Sequence, residues 1–244
     1  MKKTLIILFT FHFSLFTFAQ NADDLYRMDD YQGAIAAYEE ILASGQTSAD
    51  LHYNLGNAYY RDGQLGRAIL NYERALRLKP SMTDAKENLA FAYAHTVDRI
   101  TTLPQLFIVR WWNNLTTSIT PHIWRIIWLI LLSIVGTGII LLRIGGNGTI
   151  RKTGLAVTAL SLLLLALTSA LLISSTHSYN AHPYAIIVDQ AVTLKASPDN
   201  KSIDKMILHE GTKVRVLDDL TCWYKISIAD GTTGWCQQNT MERI

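Results

Sequence analysis

Acid and base nearly cancel in this chain of 244 residues: 22 Lys and Arg face 20 Asp and Glu, for a net charge of +2. No Lys/Arg run with interleaved aromatics occurs, so the electrostatic footprint of a nucleic-acid binder is missing. Cysteine occurs twice, at Cys222 and Cys236, which allows one disulfide at most. The seven histidines are scattered, and none shows the helical spacing of a zinc motif, two His four apart around a Glu. The glycine-rich stretch IGGNG, residues 144–148, is not a phosphate loop, because no Lys-Ser/Thr follows it and no strand precedes it. No strand–Ser–helix nucleophile motif appears. These absences argue against an enzyme, and nothing asks for a cofactor or a metal. The chain reads as binding modules on an anchor.

What is present is apolar and clumped: 49% of the residues are hydrophobic and 17% charged, apolar for a soluble protein. The opening MKKTLIILFTFHFSLFTFAQ has the parts of a secretory signal: Lys2 and Lys3, an apolar stretch, and Thr17 and Ala19 at the positions a signal peptidase prefers. Residues 1–19 are read as a signal peptide, with an uncleaved anchor as the alternative. No cysteine follows, which excludes a lipoprotein signal. Either version sends the chain from Asn21 onwards out of the cytoplasm.

The stretch LHYNLGNAYYRDGQLGRAILNYERALRLKP, residues 51–80, spaces its small and aromatic residues for two helices. Leu55 and Tyr59 share one helix face, and Ala68, Tyr72 and Ala75 another. Gly63 marks the turn and Pro80 the end. Gly56, Ala68 and Ala75 let the helices approach, with aromatics filling the space beside them. A shift of 34 residues carries Ala68 onto Ala34, Tyr72 onto Tyr38, and Asn54-Leu55 and Tyr59 onto Asn88-Leu89 and Tyr93. In that register residues 20–100 resemble the tetratricopeptide repeat, an α-solenoid. The first unit departs from the pattern, with a missing or short leading helix and Gln46 at its proline position. His52 stands at the tryptophan position of the middle unit. The resemblance implies a concave face carrying Tyr53, Asn57, Tyr60, Arg61, Glu87 and Phe91, a partner-binding groove. So short an array is expected to have its ends covered by a partner, a second copy or the membrane.

Two apolar runs of 20 residues come next, 123–142 and 154–173. A helix of that length spans about 30 Å, the hydrocarbon thickness of a bilayer. They are read as two transmembrane helices. The loop between them, residues 143–153, carries Arg143, Arg151 and Lys152 as its charges. Positive-inside places that loop in the cytoplasm, and both flanks outside. Trp124 and Trp128 suit an interfacial belt, and Arg125 can snorkel. The linker 101–122 contains Trp111 and Trp112, which fit the membrane surface, or alternatively the repeat helices.

After a linker, 174–183, the periodicity changes. Short β-branched runs separated by turn residues fill residues 184–244, as expected of a small all-β barrel. The phrases LHEGTKVRVL and WYKISIADGTTGW resemble bacterial SH3 domains. Alternation turns Tyr224, Ile226 and Ile228 inward with Val214 and Val216, and Trp223, Lys225 and Ser227 outward. Trp223 and Trp235 are candidate ligand-binding residues, or a simple cover for the barrel. A turn at Asp230-Gly231 would set Cys236 opposite Lys225 and about 10 Å from Cys222, so a disulfide between them would need a bulge.

Signal peptide, repeats, membrane hairpin and outer barrel, in that order, resemble one group: the BatE-like tetratricopeptide/SH3 membrane proteins of the Bacteroides aerotolerance operons. That resemblance implies an inner-membrane scaffold whose repeats and barrel lie on the periplasmic side. It also implies membrane partners carrying von Willebrand factor A domains, and a role in envelope stress tolerance. The alternative is a sensor whose barrel binds peptidoglycan.

Overall fold

The computed structural model describes residues 21–101, 104–181 and 184–244; the segment read as a signal peptide lies outside them. The chain forms two compact units. One holds the repeats together with the C-terminal strands, and the other holds residues 105–182.

The helices of the first unit are α1, described over residues 21–27, α2 (Tyr31–Ala43), α3 (Ala49–Arg61), α4 (Leu65–Leu78) and α5 (Thr83–Ala94). Several have a chemical start or stop. Ser48 caps α3 by accepting from the Leu51 amide at 3.0 Å, and Asp30 caps α2 through the Gly33 amide at 3.0 Å, each satisfying an orphan donor. Gly63 ends α3 at φ +83°, the left-handed residue that closes many helices. The 34-residue shift carries Gly63 onto Asp29, which takes φ +60° itself; Asp is among the few residues that enter this region readily. The core holds Ala34, Tyr38, Leu55, Tyr59, Ala68, Ile69 and Tyr72. A Cβ on Gly56 would lie 2.8 Å from the Tyr72 ring, so the small residue there is what admits the aromatic.

The strands are β1 (Tyr184–Ile187), β2 (Ala191–Lys195), β3 (Asp204–His209), β4 (Lys213–Leu220), β5 (Trp223–Ser227), β6 (Thr233–Gln237) and β7 (Met241–Arg243). They form an antiparallel open sheet in the order β3-β2-β6-β5-β4-β1-β7, consistent with an SH3-like domain. Ile226, Ile228 and Val214 are buried with Leu194, Leu208 and Met241, while Tyr224 and Val216 pack at the margin of that core.

Repeats and barrel meet through β1. Its successive side chains point to opposite faces, and both faces are apolar because each serves a different core. Ala185 and Ile187 enter the barrel core, and Ile186 enters the repeat core, with Val188 beside it. Close approach is built in at Gly66, where a Cβ would lie 2.7 Å from the Ile187 carbonyl oxygen. The Gly66 amide donates to the Glu210 carboxylate at 3.0 Å. Polar pairs ring the contact. Asp98 accepts from the His209 amide (2.7 Å), His209 Nδ1 (2.8 Å) and the Thr212 hydroxyl (2.7 Å). Lys213 pairs with Glu73 at 2.8 Å and Arg74 with Glu242 at 3.4 Å. The barrel of the same chain therefore packs on the array, a cover that the reading of partner, second copy or membrane did not include.

The second unit contains α6 (Phe107–Thr117), α7 (Pro121–Ile144) and α8 (Gly148–Ala181). Among the described residues α7 and most of α8 are long and apolar enough to cross a membrane. Gly154, Ser161, Thr168 and Ser175 of α8 recur every seven residues and are all buried. Small residues at that interval let two helices close in along a left-handed seam. A Cβ on Gly138 would sit 2.4 Å from Thr158 Oγ1. Ser161 and Thr168 donate to carbonyls of their own helix, Val157 at 2.7 Å and Leu164 at 2.9 Å. Trp124, expected in an interfacial belt, is 5% exposed and lies with Val135 and Gly138 among the buried residues of α7. Trp128 donates to Ser169 Oγ at 2.9 Å. Trp112 donates to Ser174 Oγ at 3.2 Å, so α6 packs on α8, while Trp111 stays exposed.

Candidate functional site

Residues three and four apart on a helix share a face, so α3 presents Tyr53, Asn57, Tyr60 and Arg61 together, and α5 presents Asn88 and Phe91, with His95 at its C-cap. Between them lies a pocket of about 240 Å³, lined by Asn57, Tyr60, Arg61 and Phe91, and also by Tyr26, Tyr72 and Asn88. A second pocket of about 210 Å³ shares Tyr26 and Asn57 and extends to Asp23, Arg27, Tyr38 and Asn54. The two make one concave strip.

Asn57 is its pivot. Its amide oxygen accepts from Tyr72 Oη and from Asn88 Nδ2, each at 2.8 Å, which leaves the NH₂ group to donate elsewhere. The Tyr60 and Phe91 rings meet at a tilt with centroids 5.8 Å apart, and Phe91 meets the His95 ring likewise at 4.6 Å. Phe91 is 57% exposed, an apolar ring held open to solvent by its neighbours. Arg61 is anchored by Tyr31, whose hydroxyl accepts from Nη2 at 2.6 Å and whose ring lies 5.1 Å away. The strip is thus aromatic and amide-rich, with one fixed cation at the larger pocket, suited to extended peptide with apolar side chains.

Two of the residues assigned to the groove by register do not line this pocket. Tyr53 lies behind it, its ring 6.1 Å from Tyr72 and its hydroxyl accepting from Asn88 at 3.3 Å. Glu87 is exposed on α5. Tyr26, Tyr72 and Asn88 were missed by the register. Asn88 was visible as the shifted partner of Asn54; Tyr26 belongs to the atypical leading helix, and Tyr72 reaches the site from α4. Burial raises the hydroxyl pKa of Tyr72, Tyr38 and Tyr59, so all three act as neutral donors. His52, at the tryptophan position, bonds Asn71 at 3.0 Å and Thr47 at 3.1 Å. Burial lowers its pKa, favouring neutral imidazole.

On the barrel, Lys225 faces Trp235 directly across β5 and β6, and Trp223 faces Gln237. The Lys225 Nζ lies 6.0 Å from the Trp235 ring. Lys195, opposite Trp235 on β2, is held by Asp204 at 2.7 Å. Both tryptophans are half-buried, so they cover the sheet and still offer ring surface, with Lys225 and Lys195 opposite Trp235.

Cys222 and Cys236, the candidate bridge, are both free thiols. The hairpin closes through a three-residue loop, Ala229 to Gly231, with Ile228 donating to Thr232 at 3.0 Å and Gly231 at φ +89°. This common loop sets Cys236 opposite Tyr224 rather than Lys225. Cys236 then points into the barrel core and Cys222 out to solvent. Burial pushes the Cys236 thiol up to about 12, which keeps it protonated and unreactive.

Residues 20–96 match the tetratricopeptide repeat family model. Residues 191–242 match the bacterial SH3 domain. No curated protein matches the chain. Tetratricopeptide and SH3 modules are typically non-catalytic interaction modules, which suggests protein–protein interaction for the matched segments, and the two apolar helices suggest membrane association.

Proposed function

We propose that this protein is a non-enzymatic scaffold of a bacterial inner membrane, holding partner proteins of an envelope complex at the periplasmic face. The repeat groove takes the partner through Asn57, Tyr60, Arg61 and Phe91. Proteins of the aerotolerance type, with von Willebrand factor A domains, are the partner class that the module order suggests. The observation that carries the reading is the sharing of β1 between two cores, Ile186 in the repeats and Ile187 in the barrel. It makes one body of two recognition modules that are separated in sequence by the hairpin. Two crossings return a chain to the side it left, as residues 21–101 and 184–244 require if they are to fold together. The positive loop 143–153 supports a cytoplasmic turn.

Crosslinking in intact cells, followed by affinity isolation, tests the groove. Tyr60→Ala with Phe91→Ala is expected to lose the captured partners while the protein stays in the membrane. An unchanged set of partners overturns the groove reading.

The Trp223, Trp235, Lys225 and Lys195 face favours a second reading, a peptidoglycan-binding sensor, because ring surface beside cations suits stem peptides bearing carboxylates. Because Ile186 belongs to the repeat core, the test uses the full chain. Sedimentation with purified cell wall is expected to fall on Trp223→Ala with Trp235→Ala; equal sedimentation removes this reading.

A further inference from the structure

Residues 105–182 contain no Asp or Glu, and five cations: Arg110, Arg125, Arg143, Arg151 and Lys152. No carboxylate of their own unit can neutralise them. Arg143, Arg151 and Lys152 gather where α7 ends and α8 begins, and all three are exposed. Arg143 suits the negative C-terminal end of its helix. Arg151 and Lys152 do not: they stand by the positive N-terminal end of α8, where a cation is unfavourable and an anion is stabilised. Arg151 Nε donates to the Gly145 carbonyl at 3.1 Å, which fastens the guanidinium to the end of α7. Around these charges the turn is apolar and open. Ile144 is 78% and Ile150 41% exposed, and a Cβ on Gly146 or Gly148 would meet nothing within 4 Å.

We propose that this turn binds anionic phospholipids, the cations and the amides at the start of α8 taking the phosphodiester headgroup and Ile144 and Ile150 lying against the acyl chains. An inorganic phosphate would satisfy the cations and leave the isoleucines in water; a lipid satisfies both. The inference rests on the reading that α7 and α8 cross a bilayer.

The test reconstitutes the full chain in nanodiscs of phosphatidylcholine with phosphatidylglycerol, and measures the headgroups co-purifying with the protein after mild detergent release. Phosphatidylglycerol is expected to be enriched, with about a fivefold contribution from each cation near the surface. The enrichment is expected to vanish in R143Q/R151Q/K152Q and to persist in R110Q/R125Q. Carbonate extraction reports insertion separately. A triple variant that stays inserted and keeps the enrichment overturns the proposal and leaves the spanning reading standing. Loss of enrichment in R110Q/R125Q overturns it as well, since charge anywhere on the unit would then suffice. Displacement of the lipid by excess inorganic phosphate would assign the turn to the free ion instead. A wild-type chain washed out by carbonate sinks the spanning reading itself.

Discussion

The contact between repeats and barrel and the contact between α7 and α8 both rely on small residues, yet they treat polar groups in opposite ways. At the first, Gly66 brings backbones together, and the rim carries Asp98 with His209, Glu73 with Lys213 and Arg74 with Glu242. At the second, the small stripe from Gly154 to Ser175 brings helices together with no acid in the unit at all. The Ser161 and Thr168 hydroxyls turn back on carbonyls of α8, while an indole bond, Trp128 to Ser169, crosses between the two helices. Water explains the difference. The rim charges keep part of their hydration and are matched in sign, which favours specificity, and Asp98, the most buried of them, is the one whose bonds carry stability. If α7 and α8 span a bilayer as proposed, lipid replaces water around them, and a polar group there is well satisfied inside its own helix.

The first contact depends most on Ile186. Ile186→Ala empties a fully buried site in the repeat core and is expected to destabilise by about 3 kcal/mol. Because the mutated residue belongs to a barrel strand, repeats and barrel should melt together at a lower temperature. Two separate transitions in a thermal scan followed by circular dichroism would divide the unit and refute the shared core.

Asp98 gives a smaller effect with a pH signature. Burial pulls its carboxyl up, but the bonds from the His209 amide, the Thr212 hydroxyl and the His209 ring outweigh this, and the pKa is lowered. A lowered folded pKa means that the stabilisation is complete above the ordinary carboxylate value and is lost as pH falls through the depressed one. Asp98→Asn is expected to cost about 2 kcal/mol at neutral pH. Urea unfolding should show the wild type converging on the variant below about pH 4. A constant gap down to about pH 2 would mean that the charge is irrelevant.

Ser161→Ala should do least, below about 0.5 kcal/mol in detergent unfolding of the membrane-embedded chain, since its hydroxyl bonds only within α8. A loss as large as that of Asp98→Asn would show the hydroxyl to be an interhelical contact and erase the contrast.

Much of this was legible. The 34-residue period, the strand alternation around Ile226 and the two apolar runs are local patterns that secondary structure imposes on sequence. The lining of the α3/α5 pocket was legible in part. Asn57, Tyr60, Arg61 and Phe91 line it. Tyr53 and Glu87 share helix faces with them, but Tyr53 is turned onto the Tyr72 ring and Asn88 and Glu87 stays exposed on α5, placements that helical period does not encode. Trp124 shows the same limit: an apolar helix has no polar face to reveal which side meets its neighbour, and a tryptophan there could face lipid or protein.

The order of residues dictated the elements and their kinds, because helix period, strand alternation, turn glycines and apolar length are properties of neighbours along the chain. The folded molecule alone settled that Ile186 and Ile187 enter different cores, that Asp98 receives His209 and Thr212, and that Gly66 meets Glu210. These contacts join segments on either side of the apolar helices. Partners so far apart leave no periodic trace, and their meeting is set by the shape and charge of surfaces that exist only once each part has folded.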